Sequence, residues 1–226
     1  MEVSFMSNAK QIDQLLEGFL KRGLPGCGLK VVQYGNTLYE GYFGVTDIDT
    51  KTPVTKDTLF RQASMSKIPL YTVMMMLYER GKFLLTDPIG DYLPEWKTST
   101  RYDRHPNGYV DIVPTSRPIN IRDVMSMKCG LPYCNSAAPT HDLVMTGMQE
   151  CMQPLWEKGS YTLKEHLSAM SKAPLACDPG THWIYGFSSE LAAGIIEAVC
   201  DKPVNDVFKE MLFDPLGMKD PAAIFP

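Results

Sequence analysis

Ser64-Met65-Ser66-Lys67 sets a hydroxyl and an amine three residues apart, just ahead of the apolar run Ile68-Pro69-Leu70-Tyr71-Thr72-Val73-Met74-Met75-Met76-Leu77. On a helix that spacing puts both groups on one face. A serine hydroxyl becomes a useful nucleophile when a neighbouring base takes its proton, and a lysine acts as that base when desolvation or nearby charge lowers its pKa. A helix that is apolar on every face has to be buried. The expectation is therefore a core helix with Ser64 and Lys67 at its mouth, where burial desolvates the amine and the helix N-terminus favours developing negative charge. Gly81 supplies a left-handed stop. A second Ser-x-x-Lys, Ser7-Asn8-Ala9-Lys10, falls in a polar lead-in and reads as a capping serine and a solvated lysine. What distinguishes Ser64 is its context.

With 226 residues, 44% of them hydrophobic, the chain can hold one large domain or two lobes. Charged residues at 21% and a net charge of −4 give no basic footprint for nucleic acid. The first ten residues lack the basic head and apolar stretch of a signal peptide, and no segment approaches a membrane span. A soluble, cytoplasmic protein is expected. Cysteines at 27, 129, 134, 151, 177 and 200 could form three disulfides in a secreted protein; without an export signal they read as reduced thiols packed as small hydrophobes. Cys129 and Cys134 lack CxxC spacing, and His105, His141, His166 and His182 form no HxxxH pair, so neither a metal nor a cofactor is expected.

The surrounding elements follow from periodicity. Ile12, Leu15, Leu16, Phe19 and Leu20 make one helical stripe over 10–22, ended by Gly23. Extended runs at about 28–34 and 37–43, joined by Gly35-Asn36, predict a hairpin. Tyr34-Gly35-Asn36 is a Tyr-x-Asn triplet that reads as its turn. Residues 46–58 are loop, and 97–118 read as an irregular surface excursion. Helical spacing is expected over 119–125, with Gly130-Leu131-Pro132 as terminator, then over 137–172, and in two helices at 189–200 and 203–213. Met74-Met75-Met76 is core packing. A two-stranded hairpin is marginal alone, so either another chain covers it or the sequence is the front part of something longer.

Five blocks, in order, resemble the serine β-lactamase-like superfamily, which holds class C β-lactamases, D,D-peptidases and β-lactamase-like carboxylesterases. They are Thr58–Lys67 with its helix to Gly81, Leu85-Thr-Asp-Pro-Ile-Gly-Asp-Tyr-Leu-Pro94, Ile121-Arg-Asp-Val-Met-Ser-Met-Lys-Cys-Gly-Leu-Pro132, Asp178-Pro-Gly-Thr-His-Trp-Ile-Tyr185 and Phe213-Asp-Pro-Leu-Gly-Met-Lys-Asp220. The resemblance implies an α+β, β-lactamase/transpeptidase-like fold. An α/β lobe with an incomplete antiparallel sheet would comprise 1–83 and 189–226, and a mainly helical lobe 84–188. It implies Ser64 as the acylated nucleophile, Lys67 as its partner and Tyr185 as the proton-shuttling tyrosine. A phenol with a pKa of about 10 needs a nearby cation to work as a base at neutral pH, and Lys67 could be that cation. The Ser64 amide would be one oxyanion-hole donor. Trp183 and Phe187 would lie beside the substrate.

Three features depart from the family pattern. Tyr-x-Asn becomes Tyr185-Gly186-Phe187; that Asn helps hold an amide-bearing substrate, so its loss tilts the expectation towards esters. Tyr133-Cys134-Asn135 keeps the letters, but it follows Gly130-Leu131-Pro132, where the family has no catalytic tyrosine. Pro69 comes two residues after Lys67 rather than one, which a first helical turn tolerates. The Lys/His-x-Gly triplet of a later strand has no counterpart, and Lys158-Gly159-Ser160 has the wrong order and place. Two functions are therefore open: a serine hydrolase acting on a small ester or β-lactam/amide carbonyl, or a catalytically silent, truncated family member serving as a binding or assembly module. An exposed sheet edge would then favour homo-oligomers.

Overall fold

The computed structural model describes residues 2–133 and 140–218. It is an α+β chain of two compact units, Met1–Gln62 and Ala63–Pro226. Asn135 and Cys134 of the Tyr-x-Asn-like triplet lie outside the described residues.

The first unit holds α1 (Glu2–Lys21), β1 (Gly26–Gln33) and β2 (Asn36–Gly44), the strands forming an antiparallel pair. Helix α1 begins well before residue 10, because nothing in the expected polar lead-in breaks a helix. The hairpin turn is centred on Tyr34-Gly35, one residue earlier than expected, with φ of +49° and +78° and Gln33 opposite Asn36. A two-residue turn of this kind demands positive φ at both central residues. The unit buries Tyr39, whose hydroxyl donates to Asp13 at 2.6 Å, and Val54. Burial first, then the bond to Asp13, pushes the Tyr39 phenol up to about 12. Leu15 and Phe19, expected on the buried stripe, are exposed.

The second unit carries the main core. A 3-10 turn, Ala63–Ser66, leads into α2 (Lys67–Glu79). Leu70, Val73, Met74 and Leu77, at helical spacing, form its buried face. They join one hydrophobic cluster with Leu191, Ala192, Ile195 and Ile196 of α6 (Ser188–Cys200). Gly194 lets the helices of this cluster come close, since a Cβ there would stand 2.2 Å from Leu167. The expectation that α2 is buried all round is corrected: Ile68 is 67% exposed and Met75 41%. An all-apolar composition did not mean an all-buried helix; only one stripe meets the core. Its end is as expected, with Gly81 at φ +66° and the Lys82 and Gly81 amides donating back to Leu77 and Tyr78.

The stretch read as an irregular excursion contains a second hairpin, β3 (Thr100–Arg104) and β4 (Val110–Pro114). The polar sequence of β3 and the prolines and glycine around β4 hid it. The strands are held by partners distant in sequence: the Tyr102 and Leu175 amides donate to the Leu175 and Thr100 carbonyls, and Arg101 Nε sits 3.0 Å from Asp178. Helix α3 (Ile121–Met125) opens with a reciprocal cap between Asn120 and Asp123. Helices α4 (His141–Lys158), α5 (Leu163–Met170) and α7 (Val204–Phe208) complete the unit, with Gly159 in the left-handed conformation after α4. The expected helix over 203–213 thus changes to a π turn, Lys209–Phe213, after α7.

Two chain segments, 127–133 and 176–187, are stitched together by backbone hydrogen bonds. Ala176 donates to Gly130, Gly180 to Lys128, Ile184 to Met127, Tyr133 to Tyr185 and Phe187 to Leu131, at 2.8–3.3 Å. Gly186 faces Pro132 so closely that a Cβ would fall 1.7 Å from the Leu131 carbonyl oxygen. Asp123 anchors the start of this region. It is 4% exposed, takes both guanidinium nitrogens of Arg117 at 2.6 and 2.9 Å, and accepts from the Asn120 amide at 3.0 Å.

Asp123→Ala removes the cap and leaves Arg117 without its carboxylate; we expect a loss of about 2–4 kcal/mol in urea unfolding. Gly186→Ala must force the 131–133 and 185–187 segments apart. Its expected signature is loss of hydrogen-exchange protection at Phe187 and Tyr133 before any change at the α6 core, and unchanged protection at those amides would contradict it.

Candidate active site

Ser64 lies in the 3-10 turn ahead of α2, and Lys67 is the helix's first residue. Ala63, directly before Ser64, has φ +44°, a left-handed conformation that costs a non-glycine residue about 1–2 kcal/mol. Ser66 Oγ donates to the Ala63 carbonyl at 2.7 Å and braces the turn. Ser64 is exposed and Lys67 half-buried, so the expected desolvated helix mouth is not what surrounds the serine. The α2 N-terminus opens outward because the residues flanking it, Met65 and Ile68, are themselves exposed.

The three residues expected to work together do meet. Lys67 Nζ donates to Ser64 Oγ at 3.3 Å, and the Tyr185 hydroxyl donates to the same oxygen at 2.8 Å, across 121 residues of sequence. Lys67 Nζ also lies 5.0 Å from the centre of the Tyr185 ring. The hydrogen bond with Ser64, and then that with Lys67, holds the Tyr185 phenol below its usual 10.0, against the opposing effects of burial and of Glu190. A phenol so placed gives up its proton more readily than a free tyrosine.

Two further residues complete the cluster: Tyr133, whose Tyr-x-Asn letters were set aside for their place after Gly130-Leu131-Pro132, and Glu190, which no sequence pattern singled out. The Tyr133 ring stands 5.5 Å from that of Tyr185, edge to face, with Lys67 Nζ 5.6 Å from its centre. Its hydroxyl donates to Glu190 Oε1 at 3.1 Å. Burial, then the charge and hydrogen bond of Glu190, raises the Tyr133 phenol above its ordinary range. Burial likewise raises Glu190, opposed by its own backbone hydrogen bond, by Tyr133 and by Lys67. The two tyrosines are thus driven in opposite directions: Tyr185 towards releasing a proton, Tyr133 towards keeping one. The signal available in the sequence was Glu190 itself, a lone carboxylate in the first turn of the apolar stretch Leu191–Ile196.

Phe187 packs edge to face on Tyr133 at 4.6 Å and is half-buried. Trp183, 65% exposed, tilts over Tyr185 at 6.3 Å. The expected substrate-side residues therefore both flank the tyrosine pair. Among the described residues no group of three or more His, Cys, Asp or Glu is placed to hold a metal, and no helix is long and apolar enough to cross a membrane. Cys27, Cys129, Cys151, Cys177 and Cys200 are free thiols, and burial pushes that of Cys129 up to about 12.

Comparison with known proteins bears on the family. The Beta-lactamase family model matches residues 12–225. Esterase EstB of Burkholderia gladioli is 25% identical over 217 residues, covering 95% of this chain and 51% of its own length. The D-alanyl-D-alanine-carboxypeptidase/endopeptidase AmpH of Escherichia coli K12 is 24% identical over 203 residues, covering 89% and 46%. Among solved structures, EstCE1, described as a hydrolase with promiscuous acyltransferase activity, superposes with a TM-score of 0.76 at 25% identity, covering 95% of this chain and 53% of that one. Simvastatin synthase LovD of Aspergillus terreus shares the fold at a TM-score of 0.76 and 22% identity, covering 94% and 53%. The chain spans about half the length of the curated relatives it matches. With an α+β fold, five ordered sequence blocks and a family match over nearly its whole length, the chain belongs to the Beta-lactamase family.

Proposed function

We propose that this chain carries the acylation machinery of a serine hydrolase whose substrate is a small ester. The observation that carries the proposal is the shared oxygen: Ser64 Oγ within hydrogen-bond distance of both Lys67 Nζ and the Tyr185 hydroxyl. With Lys67 as the cation beside a Tyr185 phenolate, Ser64 Oγ attacks the carbonyl carbon and its proton passes to the Tyr185 oxygen. The tetrahedral adduct collapses, the ester C–O bond breaks, and the leaving alkoxide takes up that proton and departs as the alcohol. Water then attacks the acyl-enzyme by the same route in reverse, releasing the acid. The Ser64 amide is the oxyanion donor in this scheme.

The preference for esters over β-lactams and other amides is supported by Phe187. Where the family pattern has an asparagine that helps hold an amide, this chain presents an aromatic ring packed on Tyr133. Two of the relatives, named as an esterase and as a hydrolase with acyltransferase activity, support the same reading, whereas AmpH is named as a peptidase. We also propose that this chain is divided into an α/β lobe, 1–83 with 189–226, and a mainly helical lobe, 84–188. The two-stranded β1–β2 sheet, beside exposed Leu15, Phe19 and Val32, supports self-association through a sheet edge.

Incubation with a fluorophosphonate and, separately, with a penicillin should give, by intact mass, an adduct with the first and little or none with the second, and Ser64→Ala should abolish it. A folded protein that takes up neither would sink the proposal and favour the silent binding module. Tyr185→Phe should slow phosphonylation about a hundred-fold or more. It should also remove an ascending limb that, in the native protein, lies below pH 10 because the Tyr185 phenol is lowered. Glu190 gives a stability signature. Its folded-state pKa is raised above the ordinary 4.5, so just above pH 4.5 the native state binds more protons than the unfolded one. Stability should fall as pH rises through that window. Glu190→Gln should flatten the fall; an unchanged slope in urea titrations would contradict it.

A further inference from the structure

Lys67 Nζ donates to Ser64 Oγ at 3.3 Å, and among the described residues no carboxylate forms an ion pair with it. A lysine side chain is long and flexible, and at a half-buried helix mouth water competes for its ammonium. What surrounds Nζ instead is aromatic. It lies 5.0 Å from the centre of the Tyr185 ring and 5.6 Å from that of Tyr133, and the two rings meet at 73°. Both separations fall inside the roughly 6 Å over which a ring face attracts a cation. The ammonium thus sits in the corner between two tyrosines.

That corner stands only while the Tyr133 ring keeps its place. Tyr185 is fixed by its bond to Ser64; Tyr133 packs on Phe187 at 4.6 Å and donates to Glu190 at 3.1 Å. Glu190 lies in the first turn of α6, the helix that shares the core cluster with α2. A carboxylate in a first helical turn complements the helix dipole. That alone does not require a buried partner 57 residues away, and burying the charge is costly. The bond to Tyr133 gives the carboxylate a use. A phenol donating to an anion is polarised towards its ring, and the ring face then attracts a cation more strongly. Tyr71, one turn along α2, is the other titratable neighbour. Its hydroxyl donates to the Val124 carbonyl at 3.4 Å and burial pushes its phenol up to about 12, so it stays neutral.

We propose that Glu190, acting through Tyr133, is a positioning residue: it pins the ring that completes the aromatic corner in which Lys67 is held against Ser64 Oγ and Tyr185. The inference rests on the serine-hydrolase proposal and adds to it the residue that keeps the cation in place. Positioning and direct electrostatics differ here in sign. The charge of Glu190 by itself raises the Tyr185 phenol, whereas Lys67 lowers it. Removing that charge alone therefore makes Tyr185 more acidic, and releasing Lys67 makes it less acidic.

Two measurements on the full chain test this. In the first, Ser64 phosphonylation by a fluorophosphonate is timed by intact mass along the ascending limb of its pH profile. Glu190→Leu, which removes the pin, should slow labelling about ten-fold and move the limb up by about one pH unit. Glu190→Gln, whose carbonyl oxygen still accepts from Tyr133, should recover most of the lost rate, with the limb unmoved or lower. A limb that falls in Glu190→Leu, or a rate equal to the native one, would overturn the assignment. In the second, the protein carries lysine labelled with 13C at Cε, and the Lys67 signal is identified by its loss in Lys67→Arg. Its Hε resonances should lie upfield of those of solvated lysines, because two rings shield them, and Glu190→Leu should return them towards the solvated position. Tyr133→Phe, which cuts the bond but keeps the ring, should do so in part, and it takes the place of Glu190→Leu if that variant does not fold. Lys67 resonances at the solvated position in the native protein would overturn the corner itself. If the folded native protein takes up no phosphonate, the hydrolase proposal falls, and the lysine spectra still decide whether Glu190 places Lys67.

Discussion

One close approach of backbone to backbone controls the site: Gly186 against the carbonyl of Leu131. Because no side chain stands between them, the amides of Tyr133 and Phe187 reach the carbonyls of Tyr185 and Leu131. That short antiparallel contact sets the two tyrosine rings edge to face. A single methyl group there is incompatible with the arrangement. The tyrosine hydroxyl that reaches Ser64 is therefore placed by backbone pairing, not by the loose packing of a surface ring. Asp123 and Asp178 secure the approach from the other side, through Arg117 and Arg101 and through the Asn120 and Ser116 amides. Charged side chains are thus the fasteners of this region.

The electrostatics follow from that placement. Two phenols lie within one ring contact of each other and of Lys67, yet their environments separate them. Tyr185 is held by hydrogen bonds that favour its ionised form, whereas Tyr133 is buried and bonded to a carboxylate that penalises ionisation. Pairs of titratable groups pushed apart in this way are a common route to assigning acid and base roles. In the proposed mechanism this separation makes Tyr185 the group that exchanges a proton with Ser64, while Tyr133 donates to Glu190 and packs on Phe187.

Much of this was legible in the sequence, and what was not has physical causes. Ser64, Lys67 and Tyr185 were found because nucleophile chemistry restricts residue types and because five blocks kept a family order. The stop at Gly81 and the helices after residue 188 were visible in period and punctuation. The β3–β4 hairpin was missed because β3 is polar, prolines and a glycine interrupt the stretch around β4, and β3 is stabilised by Leu175 and Asp178, some seventy residues on. The burial of α2 was overestimated because apolar content says how much of a helix can be buried, not which faces find partners; Ile68 and Met75 find none that cover them. Tyr133 was set aside because its Tyr-x-Asn letters follow Gly130-Leu131-Pro132, and Glu190 escaped because its importance lies in one hydrogen bond that nothing in its spacing announces.

Ser64, Lys67, Tyr133, Tyr185, Phe187 and Glu190 all belong to the unit from Ala63 onward. The distances among them are therefore properties of one packed core, in which α2 and α6 share a hydrophobic cluster and carry Lys67 and Glu190 respectively. The hairpin of the first unit contributes no side chain to this set. What a nucleophile needs first, an oxygen held between a phenol and an amine, depends on the core behind α2 and on the Gly186 contact. A substitution at Phe187 should consequently alter the setting of Tyr133, because Phe187 is the ring on which Tyr133 leans at 4.6 Å.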